Sequence, residues 1–191
     1  VSPYGVSKAL AHRAADRFRK NEGLFIASGI LYNHESPLRP TTFVTRKITN
    51  GAAKIKLGLS SELVLGNLDA RRDWGFAGDY VEAMWKMLQI ENADDFVVAT
   101  GETHSVLDFV TTAFNFAGLS GQEDKYVKTD SHLLRPTEIH QVMGDPSKTS
   151  KVLDWHRSVD FESLVKEMVA NDFELLCNEN GLTKPDVPAF N

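Results

Sequence analysis

The sequence predicts an α/β protein in which short apolar strands alternate with amphipathic helices, and three observations lead to that class. Leu24-Phe25-Ile26-Ala27-Ser28-Gly29-Ile30-Leu31, Leu63-Val64-Leu65 and Phe96-Val97-Val98-Ala99 are apolar runs of strand length. Before the first of them apolar residues recur at helical spacing, at Val6, Leu10, Ala14 and Phe18, and between the later ones another helical face is formed by Tyr80, Ala83 and Met87. A buried strand that follows a helix belongs to a parallel sheet, because strands covered on both faces read as unbroken apolar runs. The composition agrees: 42% of the 191 residues are hydrophobic and 25% charged, a balance that argues against disorder and against a coiled coil. The length permits one large domain or two small ones.

Taken in order, Ser2 caps and Pro3 opens a helix over residues 3–21, which Asn21-Glu22-Gly23 ends. The run 24–31 follows as a buried strand, and residues 32–42, with two prolines, form a loop. Phe43-Val44-Thr45-Arg46-Lys47-Ile48 begins the next helix, and Leu63-Val64-Leu65 is a strand. A helix over 78–88 places Tyr80, Ala83, Met84, Met87 and Leu88 on one face. After the strand at 96–99, Ser105 caps a helix that runs through Phe116 and closes at Gly118. The stretch 121–148 is irregular apart from a short strand at Tyr126-Val127-Lys128, and a last helix spans 161–177 before Pro185 and Pro188 mark a fraying tail.

The charge pattern excludes some partners. Net charge is −5 and the 21 basic residues are scattered, so a nucleic-acid backbone would be repelled, although a local phosphate site is allowed. No apolar run approaches the roughly 20 residues that cross a bilayer, and no charged-then-apolar leader opens the chain, so no membrane is expected. The single cysteine, Cys177, cannot form an internal disulfide; beside Leu175 and Leu176 it reads as a buried thiol in a reducing cytoplasm. The opening Val1-Ser2-Pro3-Tyr4 has neither an initiator methionine nor a leading strand, which leads to the expectation of a piece of a longer protein.

Three constellations carry chemistry. Tyr4 and Lys8 are four apart on a helix, so the Lys8 ammonium can favour the ionised phenol, making Tyr4 a general base. Oxidation of a sugar alcohol needs such a base as hydride moves to a nicotinamide. The pair alone also arises by chance in many helices. The second constellation is the loop Gly29 to Arg39, with Asn33-His34-Glu35; by itself His34 is an ordinary solvated histidine, and none of the six histidines has metal-ligand spacing, so no metal is expected. The third comprises Arg71-Arg72-Asp73-Trp74-Gly75 and the distant Arg135-Pro136-Thr137-Glu138. Two guanidinium forks suit a diphosphate and a carboxylate suits ribose hydroxyls, while the plainer alternative pairs Arg72 with Asp73 or Asp79.

Ser2-Pro3-Tyr4-Gly5-Val6-Ser7-Lys8 resembles the Tyr-x-x-x-Lys segment of extended short-chain dehydrogenase/reductases. Asn33-His34-Glu35-Ser36-Pro37-Leu38-Arg39, Thr42 to Ile48, Leu65 to Gly75, Asp79-Tyr80-Val81, Ala99-Thr100-Gly101 and Arg135 to Glu138 resemble, in order and spacing from Ser2 to about Leu176, the GDP-mannose 4,6-dehydratase family. The resemblance implies that the chain is the C-terminal part of a Rossmann-type NAD(P)-binding fold plus a smaller α/β substrate-binding domain, interleaved over residues 1–191. It implies an NADP cofactor touched by Tyr4, Lys8, His34 and Arg39, with Tyr4 and Lys8 catalytic. GDP-mannose would be held by Asn33, Lys47, Gly66, Arg72, Arg135 and Glu138. It further implies a cytoplasmic homo-oligomer, dimer or tetramer, that converts GDP-mannose to GDP-4-dehydro-6-deoxymannose by an internal NADP redox cycle.

The chain departs from that pattern in lacking the Gly-x-x-Gly-x-x-Gly turn that receives the cofactor pyrophosphate: Gly75-x-x-Gly78 and Gly118-x-x-Gly121 each lack a third glycine. The threonine and glutamate that complete the family's active site precede its tyrosine, so the 191 residues alone are expected to be inactive. Two other readings stay open: another sugar-nucleotide epimerase or dehydratase of the same superfamily, and a non-catalytic binding or oligomerisation fragment.

Overall fold

In the computed structural model, which describes residues 2–134 and 139–190, the capping signals act where the sequence puts them. The Ser2 side chain accepts from the Gly5 amide to start α1 (Pro3–Glu22), which ends at the left-handed Gly23. The elements that follow are β1 (Ser28–Leu31), β2 (Asn33–Glu35), α2 (Val44–Lys56), β3 (Leu63–Leu65), β4 (Arg71–Arg72), β5 (Trp74–Phe76), α3 (Ala77–Met87), β6 (Asp95–Val98) and β7 (His104–Ser105). Next come α4 (Val106–Phe116), α5 (Glu123–Tyr126), β8 (Val127–Thr129), β9 (Gln141–Val142), α6 (Ser147–Leu153) and α7 (Phe161–Asn180), with 3-10 turns at Ser131–Leu133 and Pro188–Phe190. Ser105 and Asp108 form a reciprocal capping box at α4, and Asp160 caps α7 through the Ser163 amide.

The strands pair over long sequence distances. β1 runs parallel to β6, β2 to β5, and β3 to β8, while β4 lies between β7, antiparallel, and β9, parallel. Two apolar cores result among the described residues. The larger one joins α2, α4 and α7 around Ile48, Phe109, Phe114, Met168 and Phe173, with Trp74 at its edge. The smaller one packs Tyr80, Ala83 and Met87 of α3 on Phe96 and Val98 of β6, with Leu153 and Trp155. Cys177 is buried in α7 as expected.

The cores are tied by buried carboxylates. Asp73, fully buried between β4 and β5, accepts from the Thr100 amide and hydroxyl and from the Gly101 and Gly144 amides. Asp79, in the first turn of α3, accepts from the Ser158 amide and hydroxyl and from the Val159 amide just before α7. Each satisfies several backbone donors that burial would otherwise leave unpaired.

Several expectations need correction. The apolar stripe of α1 is not buried: Val6, Leu10 and Phe18 are 46%, 60% and 51% exposed, and the described contacts that tie the helix to the strands are polar, with His12 and Arg19 meeting Asp95 of β6 and Arg19 donating to Ile26 O just before β1. The strand at 24–31 is shorter than its apolar run and is half-buried, since β1 has a partner on one side only. Met84 and Leu88 face solvent rather than sharing the buried face of Tyr80, Ala83 and Met87. The expected loop 32–42 contains β2, and 121–148 holds β9 and the start of α6.

Candidate functional site

A cleft of about 460 Å³ opens where the ends of β2, β3 and β4 meet the first turn of α2. Parallel pairing of β2 with β5 sets Asn33 opposite Trp74, and the Asn33 side-chain Nδ2 donates to Asp73 O at 3.2 Å. The chain then turns through Arg39 and enters α2 at Phe43, which offers no side-chain cap. From the other wall come Gly66 and Asn67 after β3, Arg72 of β4, and Leu133. Gly66 cannot carry a side chain without displacement, because an added Cβ would stand 3.0 Å from Leu133 O.

Five of the sequence-predicted site residues, Asn33, Arg39, Lys47, Gly66 and Arg72, line this one cleft although they span 40 positions of chain. Tyr4 and Lys8 do not line it. They lie near the start of α1, with Tyr4 71% exposed and the Lys8 ammonium 5.5 Å from the centre of its ring. His34 faces the opposite side of β2, its Nδ1 2.8 Å from Tyr32 O and its ring 5.0 Å from that of Tyr80. Arg135 and Glu138 lie outside the described residues.

The charge of the cleft is opposite to that of the chain. Among the described lining residues the ionised groups are Arg39, Lys47 and Arg72 against Glu35 alone, a balance of three cations to one carboxylate in a protein of net charge −5. The first amides of α2 add partial positive charge at the same wall. Arg72 Nη1 donates to Arg71 O and Ile139 O, which orients its guanidinium along the rim. A second hollow of about 520 Å³ is lined by Glu102, Asp108, Asp160 and Glu162 with His104, and repels phosphates for the converse reason.

The sequence reading missed Glu35. This carboxylate is 3% exposed at the cleft wall, accepts from the Thr45 hydroxyl at 2.7 Å and lies 3.2 Å from Arg39 Nε. Burial pushes its carboxyl above the usual carboxylate range, opposed by the Thr45 hydrogen bond and by the charge of Arg39. Phe43 was also missed; its ring centre lies 3.7 Å from the Arg39 guanidinium carbon. The spacing of four between Glu35 and Arg39 is no signal by itself, because residues four apart are brought together by a helix and these lie in a strand and a loop.

The cleft is anchored from below. Arg46, buried on α2, directs Nε at both oxygens of Asp172 on α7 at 3.0 Å and Nη2 at one of them at 2.9 Å. Its Nη1 donates to Pro37 O and, at 2.9 Å, to Arg39 O. Thr49 and Asn50 complete the Asp172 shell at 2.6 and 3.0 Å.

A family model described as GDP-mannose 4,6 dehydratase matches residues 1–168. GDP-mannose 4,6 dehydratase 2 of Arabidopsis thaliana is 52% identical over 181 residues, covering 95% of this chain and 48% of that protein. The GDP-mannose 4,6 dehydratase of Homo sapiens is 46% identical over 190 residues, covering 92% and 51%. The chain thus spans about half the length of the curated relatives it matches. Among solved structures, RMD from Pseudomonas aeruginosa complexed with NADPH has a TM-score of 0.82 at 20% identity, over 92% of this chain and 57% of that one. dTDP-glucose 4,6-dehydratase from Bacillus anthracis in complex with NAD has a TM-score of 0.76 at 19% identity, over 94% and 53%. These likenesses bear out the expected Rossmann-type α/β fold, and with the matched residues and close relatives they show that the chain belongs to the GDP-mannose 4,6 dehydratase family.

Proposed function

We propose that this chain is the portion of a GDP-mannose 4,6-dehydratase that carries its tyrosine base and its sugar-nucleotide cleft. The observation that carries the reading is the convergence of Asn33, Arg39, Lys47, Gly66 and Arg72 on one cationic cleft in an acidic chain. Arginine forks match the paired oxygens of a diphosphate, and a positively charged concavity favours a dianion. The close approach of Gly66 to Leu133 gives a thin wall on which a flat base can lie. In this reading residues 1–191 interleave the end of the cofactor domain, around the smaller core, with the substrate domain, around the larger one. Arg135 and Glu138 complete the nucleotide contacts, and the protein works as a cytoplasmic homo-oligomer.

The geometry of α1 fits a nicotinamide cofactor, because Tyr4 is open to a ligand and Lys8 stands over its ring. NADP, when bound, supplies the hydride acceptor and donor of an internal redox cycle. Tyr4 takes the proton of the carbon-4 hydroxyl as that carbon is oxidised, with Lys8 beside its ring. By the resemblance, His34 and Arg39 would hold the cofactor, His34 from beside Tyr80 and Arg39 from the cleft. Oxidation at carbon 4 acidifies the carbon-5 proton, so that water leaves from carbon 6. By the resemblance, the carboxylate that takes this proton is a glutamate that precedes the tyrosine.

Titration of the 191-residue chain with GDP, UDP and TDP by calorimetry tests the reading against an epimerase specific for uridine or thymidine nucleotides. GDP should bind at least about tenfold more tightly, a difference of about 1.4 kcal/mol. Equal affinities, or a preference for UDP, would overturn the assignment.

A further inference from the structure

We propose that Glu35 is a positioning residue that sets the ligand-facing pose of Arg39. The inference rests on the reading above that the cleft region takes phosphorylated nucleotides, but the residue and its role come from the structure. Arg39 Nε is buried, and among the described residues no protein group accepts a well-aligned hydrogen bond from it; its counter-group is the Glu35 carboxylate at 3.2 Å. The two terminal nitrogens of Arg39 donate to no protein group among the described residues, while the side chain, 27% exposed, lines the cleft. Phe43 covers a face of the guanidinium at 3.7 Å, and Arg46 fixes the backbone by donating to Arg39 O. Side chain, ring face and backbone are thus each held by a different partner. The free part is the planar fork, the end that recognises an oxyanion bidentately.

A carboxylate beside an anion site is unfavourable on charge alone, and this gives the proposal its test. If only net charge mattered, neutralising Glu35 would tighten binding of a phosphorylated ligand. If Glu35 orients Arg39, the same change weakens binding, because the fork must be ordered at the moment of association. The Thr45 hydroxyl at 2.7 Å holds the carboxylate itself in place, which suits a fixed anchor.

The experiment uses the 191-residue chain, its Glu35→Gln and Arg39→Ala variants, and two probes, GDP and NADPH, each titrated by NMR with arginine side chains labelled. The nucleotide whose affinity Arg39→Ala lowers identifies the partner of the fork, and Glu35→Gln should lower that same affinity by about three- to tenfold. Glu35→Gln binding as tightly as the unaltered chain, or more tightly, overturns the proposal, as does an Arg39→Ala variant with both affinities unchanged. In the ligand-free chain the Arg39 Nε–H signal should exchange slowly with water and should be lost from the slow regime in Glu35→Gln. An unchanged signal overturns the proposal even if neither nucleotide binds, an outcome that would separately refute the nucleotide reading of the cleft.

Discussion

Replacing Asp172 by Asn should destabilise the chain by about 3–5 kcal/mol, the cost of leaving a buried charge without its partner. The two side chains have nearly the same volume, so no cavity contributes and the loss isolates the electrostatic term. Asp172 is fully buried and Arg46 nearly so, at 7%, which keeps solvent from replacing the lost carboxylate charge. Against a total stability of about 5–15 kcal/mol this is a large fraction. With a urea dependence of about 2 kcal/mol per molar, the unfolding midpoint should fall by about 1.5–2.5 M. Circular dichroism in urea measures it, and a shift below about 0.5 M would refute the account of the Arg46–Asp172 pair as a desolvated charge couple. Converting both partners to Leu should cost less than removing Asp172 alone, because no unpaired charge is then left inside.

Gly66→Ala should weaken GDP binding several-fold while leaving the unfolding midpoint nearly unchanged, because the added Cβ meets Leu133 O at 3.0 Å and pushes the cleft wall rather than a core; calorimetry and urea unfolding check the two halves of the claim. Tyr4→Phe, made in a polypeptide as long as the relatives, should remove most dehydratase turnover with GDP-mannose affinity retained, and steady-state kinetics showing turnover within about threefold would remove Tyr4 from the mechanism. Burial holds the Glu35 carboxyl above its usual range, so the folded chain keeps this proton at pH values where the unfolded chain has lost it. Its stabilising effect is complete below the unfolded value and is lost as pH rises through the folded one, so Glu35→Gln should flatten that part of the stability profile in thermal unfolding.

Helices α1, α4 and α7 were legible because their signals are local, whereas the short α5 and α6 were not read. Ser2 with Pro3, Ser105 with Gly118, and the apolar period of residues 161–177 each lie within the element they define, and the observed bounds fall within a few residues of those read. β2 was not legible, since Asn33-His34-Glu35 has no apolar alternation and owes its extended form to pairing with β5, 41 residues on. β4 and β9 are two-residue strands joined across seventy residues, a pairing no local window contains. In the site, the residue types that suit a nucleotide were read along the chain, yet their convergence depends on these same non-local pairings. Glu35 escaped because its significance is burial, which the polar loop around it concealed.

Asp73 has a consequence for how the molecule comes apart. Its neighbour Arg72 lines the cleft, its neighbour Trp74 belongs to the larger core, and its carboxylate holds the Thr100–Gly101 turn that follows β6 of the smaller one. Separating the cores would strip a fully buried carboxylate of the donors that satisfy it, at a cost comparable to the marginal stability of a small domain. The two hydrophobic clusters are therefore coupled at a polar rivet and should melt as one cooperative unit, with the cleft disappearing in the same step.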